Sequence, residues 1–317
     1  MSKHITVCAG IDTSKRKLDV ALEGKNERLQ VANTPEGHER LSHWLQRQGV
    51  NRIGIEASGG YEFAVVATLR RQGFVVVVFQ PVQVRAYANF HLQRAKNDKI
   101  DAALIAGCTR EVKKIHAPPD PRLAAFAGPL TAIEQMTDDL TRLKTRRESC
   151  RDARLRQLWK EEISRLKKLQ KAEFKTLVAA IRQHHDLARR LALINSVDGI
   201  GLPTAVAILV RMPEIGQITR EQAAALAGVA PYDDDSGTYA GVRHIAGGRE
   251  RLRGALYAAA LPAAFRWNPQ LIALYGRLTG TGKLHKVALI ACARKLLIFA
   301  NTVVARGTPW TPQAGAA

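Results

Sequence analysis

Apolar residues in the first third of the chain fall in short runs separated by polar turns. ITVCAGIDT (5–13) is such a run and reads as a buried strand. LDVALEG (18–24) and RLQVANT (28–34) read as two further strands, with a turn at Gly24-Lys25-Asn26 between them. Thr34-Pro35-Glu36 has the marks of a helix start, and LSHWLQRQ continues it at helical spacing. RIGIEAS (52–58) is strand-like again, and Gly59-Gly60 precedes the amphipathic run FAVVATLRRQG. FVVVVF (74–79) reads as a fully buried strand stopped by Pro81, and the pattern turns helical from about Asn97 to Lys114. Three strands followed by alternating helices and strands predict an α/β domain with a mixed sheet over residues 1–120.

The pattern then changes. Residues 119–126 are rich in Pro and Ala and mark a boundary, while residues 130–193 contain no Gly or Pro. Leu140, Leu143, Leu155, Leu158, Ile163, Leu166 and Leu169 form an imperfect apolar stripe, so residues 121–194 read as long helices, an antiparallel pair or a coiled coil. From 195 to 317, apolar helical pieces alternate with glycine turns: AVAILV, EQAAALAG, LRGALYAAALPAAF, PQLIALYGRL and KVALIACARKLLIFANTVV. These predict a third, mostly helical domain with a frayed tail from Thr308.

Charge adds a partner class. The 317 residues carry a formal net charge of +20, spread as +6, +8 and +6 over residues 1–120, 121–195 and 196–317. Such an even excess suits a long polyanion footprint better than one basic tail does. The four cysteines are far apart and form no CxxC pair, which argues against a zinc site and a disulfide scaffold. The N-terminus has no apolar leader core, and no apolar run reaches the roughly 18 residues needed to cross a bilayer. The expectation is a cytoplasmic, nucleoid-associated protein with no membrane partner.

Candidate chemistry begins with carboxylates. Asp12 ends the first predicted strand and Glu56 a later one, while Asp98 and Asp101 stand three apart on a predicted helix and share a face. Neighbouring parallel strands present their C-terminal ends at one rim. A helix packed across that rim would bring all four together. Clustered carboxylates repel, and hard divalent cations, Mg²⁺ above all, neutralise them. Two such ions about 4 Å apart suit phosphoryl transfer. Singly, each acid also has a structural reading: a strand-end turn, an N-cap at Asp98, or a first-turn dipole partner at Asp101. Asp19, Glu23 and Glu62 are the alternative members of the set.

A second candidate lies in APYDDDSGTYAG, where Ser236 sits beside Gly237 and is followed by Arg243, Arg249, Arg251 and Arg253. A serine needs activation to attack, and arginines can fork onto a phosphate. Tyr232 and Tyr239 are alternative nucleophiles there, and a plain turn serine is the structural reading. SVDGIGLPTAVAIL (196–209) resembles a helix-hairpin-helix turn, in which Gly199 and Gly201 would offer backbone N–H groups to a phosphate.

Together, GIDTSK, GIEASGGYE, KNDKIDAALIA, GIGLPTAVAIL, LAGVAPYDDDSG, HIAGGRERLRGALYAAA and KVALIACARKLL resemble the DEDD transposases of one group of bacterial insertion sequences, the insertion-sequence one-ten family. The stretches span most of the chain in one order, though the helical middle carries no motif and Asp198 stands where the family often has Pro. The resemblance implies an RNase H-like (RuvC-like) domain in which Asp12, Glu56, Asp98 and Asp101 bind two Mg²⁺, with Mn²⁺ as a substitute. It implies that Ser236 attacks a DNA phosphate to form a phosphoserine link, in a composite site to which different subunits contribute. It further implies donor and target DNA, a structured bridge RNA that supplies sequence choice, and a homo-oligomer, a dimer or a dimer of dimers. Two other readings compete: a metal-dependent endonuclease or junction resolvase using water, and a basic scaffold with a degenerate pocket.

Overall fold

The computed structural model describes residues 7–93, 98–113, 120–233, 235–236, 241 and 243–311, with the side chains of Asp98 and Lys99 outside that set. The chain forms two compact units, Met1–Ala117 and Pro118–Ala317.

The first unit is built on a five-stranded sheet: β1 (Cys8–Thr13), β2 (Lys17–Leu22), β3 (Arg28–Ala32), β4 (Arg52–Glu56) and β5 (Val75–Phe79). Their order is β3-β2-β1-β4-β5. The first three strands form an antiparallel meander, β4 joins β1 in parallel, and β5 joins β4 in parallel. This is the mixed sheet that the strand pattern predicts, in the RNase H-like arrangement. Helix α1 (Pro35–Arg47) starts where expected: the Thr34 hydroxyl accepts from Gly37 N and Pro35 takes the first turn. Leu41 and Leu45 of α1, with Val65 and Leu69 of α2 (Phe63–Arg71), cover one sheet face against Ile11, Leu18, Val20, Ile53 and Ile55. The other face is covered by α4 (Asp98–Glu111).

Two expectations need correction here. β5 is not fully buried: it is the sheet edge, and Val75 and Val78 are 40% and 37% exposed. The segment after Pro81 is a helix, α3 (Pro81–Phe90), which the apolar pattern does not announce because Val84 is its one buried residue. Its start is fixed instead by Pro81 and a reciprocal Gln80–Gln83 capping pair.

The second unit is almost wholly helical. It comprises α5 (Pro121–Ser149), α6 (Ala153–Arg182), α7 (His185–Asn195), α8 (Leu202–Arg211), α9 (Arg220–Ala227), the short strands β6 (Pro231–Tyr232) and β7 (His244–Ile245), α10 (Glu250–Pro262), a π-helical turn (Ala263–Trp267), α11 (Pro269–Gly280) and α12 (His285–Arg306). The Pro/Ala-rich stretch is therefore partly helix, with Asp120 capping α5 through Arg122 N. α5 and α6 form an antiparallel pair. Near its base, Leu123, Leu130 and Ile133 join Leu177, Val178 and Ile181 in the unit's main core. Towards the connecting loop a separate small cluster forms from Leu140, Leu143 and Ile163, flanked by Trp159 and Leu166. The leucine stripe is only partly inward: Leu158 and Leu169 are exposed, and Trp159 packs in their stead.

α12 passes the length and hydropathy test for a membrane span, contrary to the expectation from apolar runs. Its composition reflects burial: Leu289, Cys292, Leu296, Leu297 and Ala300 are fully enclosed by the surrounding helices. None of the four cysteines is in a disulfide. Burial pushes the Cys292 thiol up to about 11, so it stays protonated and unreactive at neutral pH.

Candidate active site

β1 and β4 carry the same tripeptide pattern near their C-terminal ends, Gly10-Ile11-Asp12, one residue short of the end of β1, and Gly54-Ile55-Glu56, which closes β4. The parallel register aligns Gly10 with Gly54 and Ile11 with Ile55, so the next step brings Asp12 beside Glu56. Side chains alternate along a strand. Ile11 and Ile55 point into the core shared with α1 and α2, which puts the glycines and the two acids on the opposite face. That is the face α4 covers.

The glycines let the helix lie directly on the sheet. A Cβ on Gly10 would stand 2.2 Å from both Ala102 O and Ala106 N, and one on Gly54 would stand 1.9 Å from Thr109 Oγ1. The direction of α4 follows from those contacts. Ala102–Ala106 lies over Gly10, Thr109 lies over Gly54, and Val112 O accepts from Arg52 Nη1 at the start of β4. α4 therefore runs against β1 and β4, and its first turn faces their C-terminal ends. Asp12 lies about 7 Å along the strand from Gly10. Asp101 and Asp98 lie about 4 and 9 Å along the helix from the Ala102–Ala106 contact, in the same direction. Backbone geometry thus sets Asp12 beside Glu56 and turns the first turn of α4, which carries Asp98 and Asp101, towards that rim. Asp12, Glu56 and Asp101 are each half-buried. An Arg110–Glu23 ion pair fastens the far end of α4 to the end of β2, so Glu23 is a tether remote from the rim.

The donor set is all carboxylate, which fits a hard divalent cation. Among the described residues, Asp12, Glu56 and Asp101 included, no three His, Cys, Asp or Glu side chains form a metal-holding group. The Asp98 side chain lies outside the described set.

Asp19 is the nearest alternative member. It pairs with Asp12 across the antiparallel β1–β2 register, on the same sheet face. Its carboxylate is already engaged, by Lys17 Nζ at 3.0 Å and Gln30 Nε2 at 2.6 Å. Glu62 is buried, and its Oε2 accepts from Ser58 N, Ser58 Oγ and Gly60 N at 3.1, 2.9 and 2.8 Å. It closes the loop after Glu56. Burial works to raise its pKa, but those hydrogen bonds outweigh it and the net shift is downward. The stabilisation is therefore present at neutral pH and lost as acid protonates the carboxylate. Glu62→Ala is expected to lower the urea stability of this unit by about 1–3 kcal/mol, with Glu62→Gln costing less because one acceptor oxygen remains. Equal stability of all three chains would remove Glu62 as the loop's anchor.

Ser236 is exposed, in the connection between β6 and β7, parts of which lie outside the described residues together with Tyr239. Asp235 Oδ1 accepts from Gly241 N, and Arg243 pairs with Asp233 at 2.6 Å, bracing the connection at both ends. Tyr232, the other nucleophile candidate, is exposed on β6. Of the remaining arginines, Arg249 forks onto Glu214 at 2.9 and 2.7 Å, Arg251 reaches Glu134 at 3.3 Å, and Arg253 donates to Gly247 O at 2.6 Å. Gly199 has φ of +95°, and a Cβ there would meet Ala263 Cβ at 2.4 Å, so its glycine is required by packing. Gly201 caps α8 and is exposed. The buried Asn268 ties this turn down, donating to Asp198 O at 2.9 Å and accepting from Leu271 N.

The first unit is thus an RNase H-like domain with an acidic rim, and the second a helical domain with a polar serine loop. Residues 9–153 match the family of DEDD transposases of the IS110 type, and residues 191–276 match the family described as transposase IS116/IS110/IS902. The chain belongs to the IS110 family of transposases, which are DNA-recombining enzymes. It is 26% identical to the pilin gene-inverting proteins of Moraxella bovis and Moraxella lacunata, over 95% of this chain and 96% of theirs. Solved structures similar to part of it are T. thermophilus RuvC in complex with a Holliday junction substrate (19% identity, 33% of this chain, 92% of that chain, TM-score 0.27) and Thermus thermophilus RuvC (23%, 36%, 84%, 0.24).

Proposed function

We propose that this transposase cuts and exchanges DNA strands through Ser236, with Asp12, Glu56, Asp98 and Asp101 holding two Mg²⁺ ions that Mn²⁺ can replace. The observation that carries the reading is the approach of α4 to Gly10 and Gly54, which turns the Asp98–Asp101 turn towards Asp12 and Glu56. A bound divalent cation would neutralise the carboxylates and polarise the phosphate under attack. Ser236 Oγ forms a bond to phosphorus, its proton passes to solvent, and the bond to a sugar oxygen breaks, that oxygen leaving as a hydroxyl. In the second half a sugar hydroxyl of the exchanged strand attacks phosphorus, the strand is resealed and serine is released.

Energy conservation favours serine over water. The relatives are named for inverting a gene, and an inversion must rejoin what it cuts. A phosphoserine ester keeps the energy of the broken phosphodiester, whereas hydrolysis loses it. Donor and target DNA would be chosen by pairing with a structured bridge RNA. The protein would act as a homo-oligomer, a dimer or a dimer of dimers. The exposed lysines of α6, Lys160, Lys167, Lys168 and Lys171, would serve RNA grip or subunit contact, and Gly199, Gly201, Arg243, Arg249, Arg251 and Arg253 the DNA phosphates. Arg249 would have to share its charge with Glu214 in that role.

The test is a trapping assay. The protein is purified with co-expressed flanking RNA, mixed with labelled element-junction DNA and Mg²⁺, and denatured. Label is expected to migrate with protein, and to be lost in Ser236→Ala, in Asp12→Ala and without RNA. Free cut DNA with no adduct, unchanged by Ser236→Ala, would establish a water-using nuclease instead. A label-bearing adduct formed without RNA would overturn the guide.

A further inference from the structure

We propose that the surface made by the π-helical turn, the middle of α11 and the start of α12 is a stacking platform for unpaired bases of single-stranded DNA. Three rings from three elements meet there. Phe265 and Tyr275 have centroids 4.8 Å apart, Tyr275 and His285 5.8 Å, and Phe265 and His285 6.3 Å. The Tyr275 hydroxyl lies 2.7 Å from His285 Nδ1 and fixes the group. Nevertheless Phe265 is 53% exposed, and its neighbours Leu261 and Leu284 are 45% and 76% exposed. Trp267, 56% exposed, lies under the Arg266 guanidinium in the same π-helical turn. Such turns are uncommon and concentrate at functional sites. This one buries Ala263 and Ala264 while displaying Phe265 and Trp267.

Charge selects the occupant. No Asp or Glu follows Glu250, whereas nine Lys and Arg do. Arg266 and Lys286 directly follow Phe265 and His285, Arg277 lies on α11 and Lys283 in the α11–α12 connection, and all four are exposed. A second copy of this surface would set those cations against one another. A polyanion satisfies them. A duplex keeps its base faces stacked inside and offers an exposed ring nothing to cover, whereas a single strand offers both phosphates and free base faces. Strand exchange by a DNA recombinase passes through unpaired DNA, which makes DNA the occupant. The proposal concerns binding and does not depend on the roles of Ser236 or the carboxylates.

The test measures fluorescence anisotropy of the full chain with three labelled ligands at one salt concentration: a DNA single strand of about 20 nucleotides, a backbone of equal length lacking bases, and a duplex, and repeats the titration with single-stranded RNA of the strand's sequence. Phe265→Ala is expected to weaken single-strand binding about 5- to 100-fold, with Phe265→Trp restoring it and the other two ligands unaffected. Phe265 is exposed, and an unchanged melting temperature confirms that the variant folds. An equal loss on duplex or abasic strand, or no loss, would overturn the platform. A loss seen only with single-stranded RNA of the same sequence would make it an RNA surface. Unchanged single-strand affinity with a smaller mass by light scattering would make it a subunit interface.

Discussion

Asp12→Asn is expected to lower Mg²⁺-dependent strand cleavage by about 10³-fold or more while leaving DNA binding intact. The carboxylate stands one residue before the end of β1, on the face that α4 covers, next to Glu56 in register and opposite Asp19. Asparagine keeps the shape and one acceptor oxygen but removes a negative charge beside Glu56 and Asp19. Fewer like charges at close range ease their mutual repulsion. The expected pattern is a melting temperature equal to or above the parent's, an unchanged anisotropy titration with DNA, and no cut strand on a denaturing gel. Cleavage at the parent's rate would place the chemistry elsewhere. A drop in melting temperature would make Asp12 a structural residue of the strand end.

The second large effect concerns a residue with no chemistry. Gly10→Ala is expected to destabilise the first unit by about 3 kcal/mol or more, the upper range for overpacking. The added methyl would stand 2.2 Å from backbone atoms of α4, and no rotamer can relieve a backbone clash. Either the helix lifts or the strand bends, and both move the Asp98–Asp101 turn away from Asp12. Cleavage should therefore fall with stability, even though no acid has been touched. Gly254→Ala makes the contrast, since nothing lies within 4 Å of that position inside α10. There alanine is expected to stabilise by about 0.5–1 kcal/mol. Urea unfolding of the two variants reads both signs. A neutral Gly10→Ala would mean that α4 does not press on the sheet.

These two residues show what could be read in advance. The succession of strands and helices and the acids at strand ends follow from local pattern, because apolar runs, the Gly24-Lys25-Asn26 turn and the Thr34-Pro35 cap are all short-range signals. Gly10 and Gly54 were equally visible, as a repeated Gly-Ile-acid pattern, but their meaning lies in a helix some fifty to ninety residues further on. The α3 helix is illegible for the opposite reason: with one buried residue it leaves almost no periodic trace. The valines of β5 read as buried because such a run does not say whether another strand lies beyond it. At the serine loop, sequence offers a hydroxyl among arginines. The structure spends those arginines on Asp233, Glu214, Glu134 and Gly247 O, partners that only tertiary packing supplies.

The α5–α6 pair has two apolar clusters, one continuous with the body and one confined to its far end. Three buried side chains near the connecting loop can be released without disturbing the others, so the free energy of opening falls along the pair's length. Amide hydrogens around Leu143 would then exchange through a partial fraying of two turns, while those around Leu130 wait for the whole unit to unfold. The pair is rigid at its root and yielding at its end, so whatever grips the end can be accommodated without strain reaching the serine domain's core.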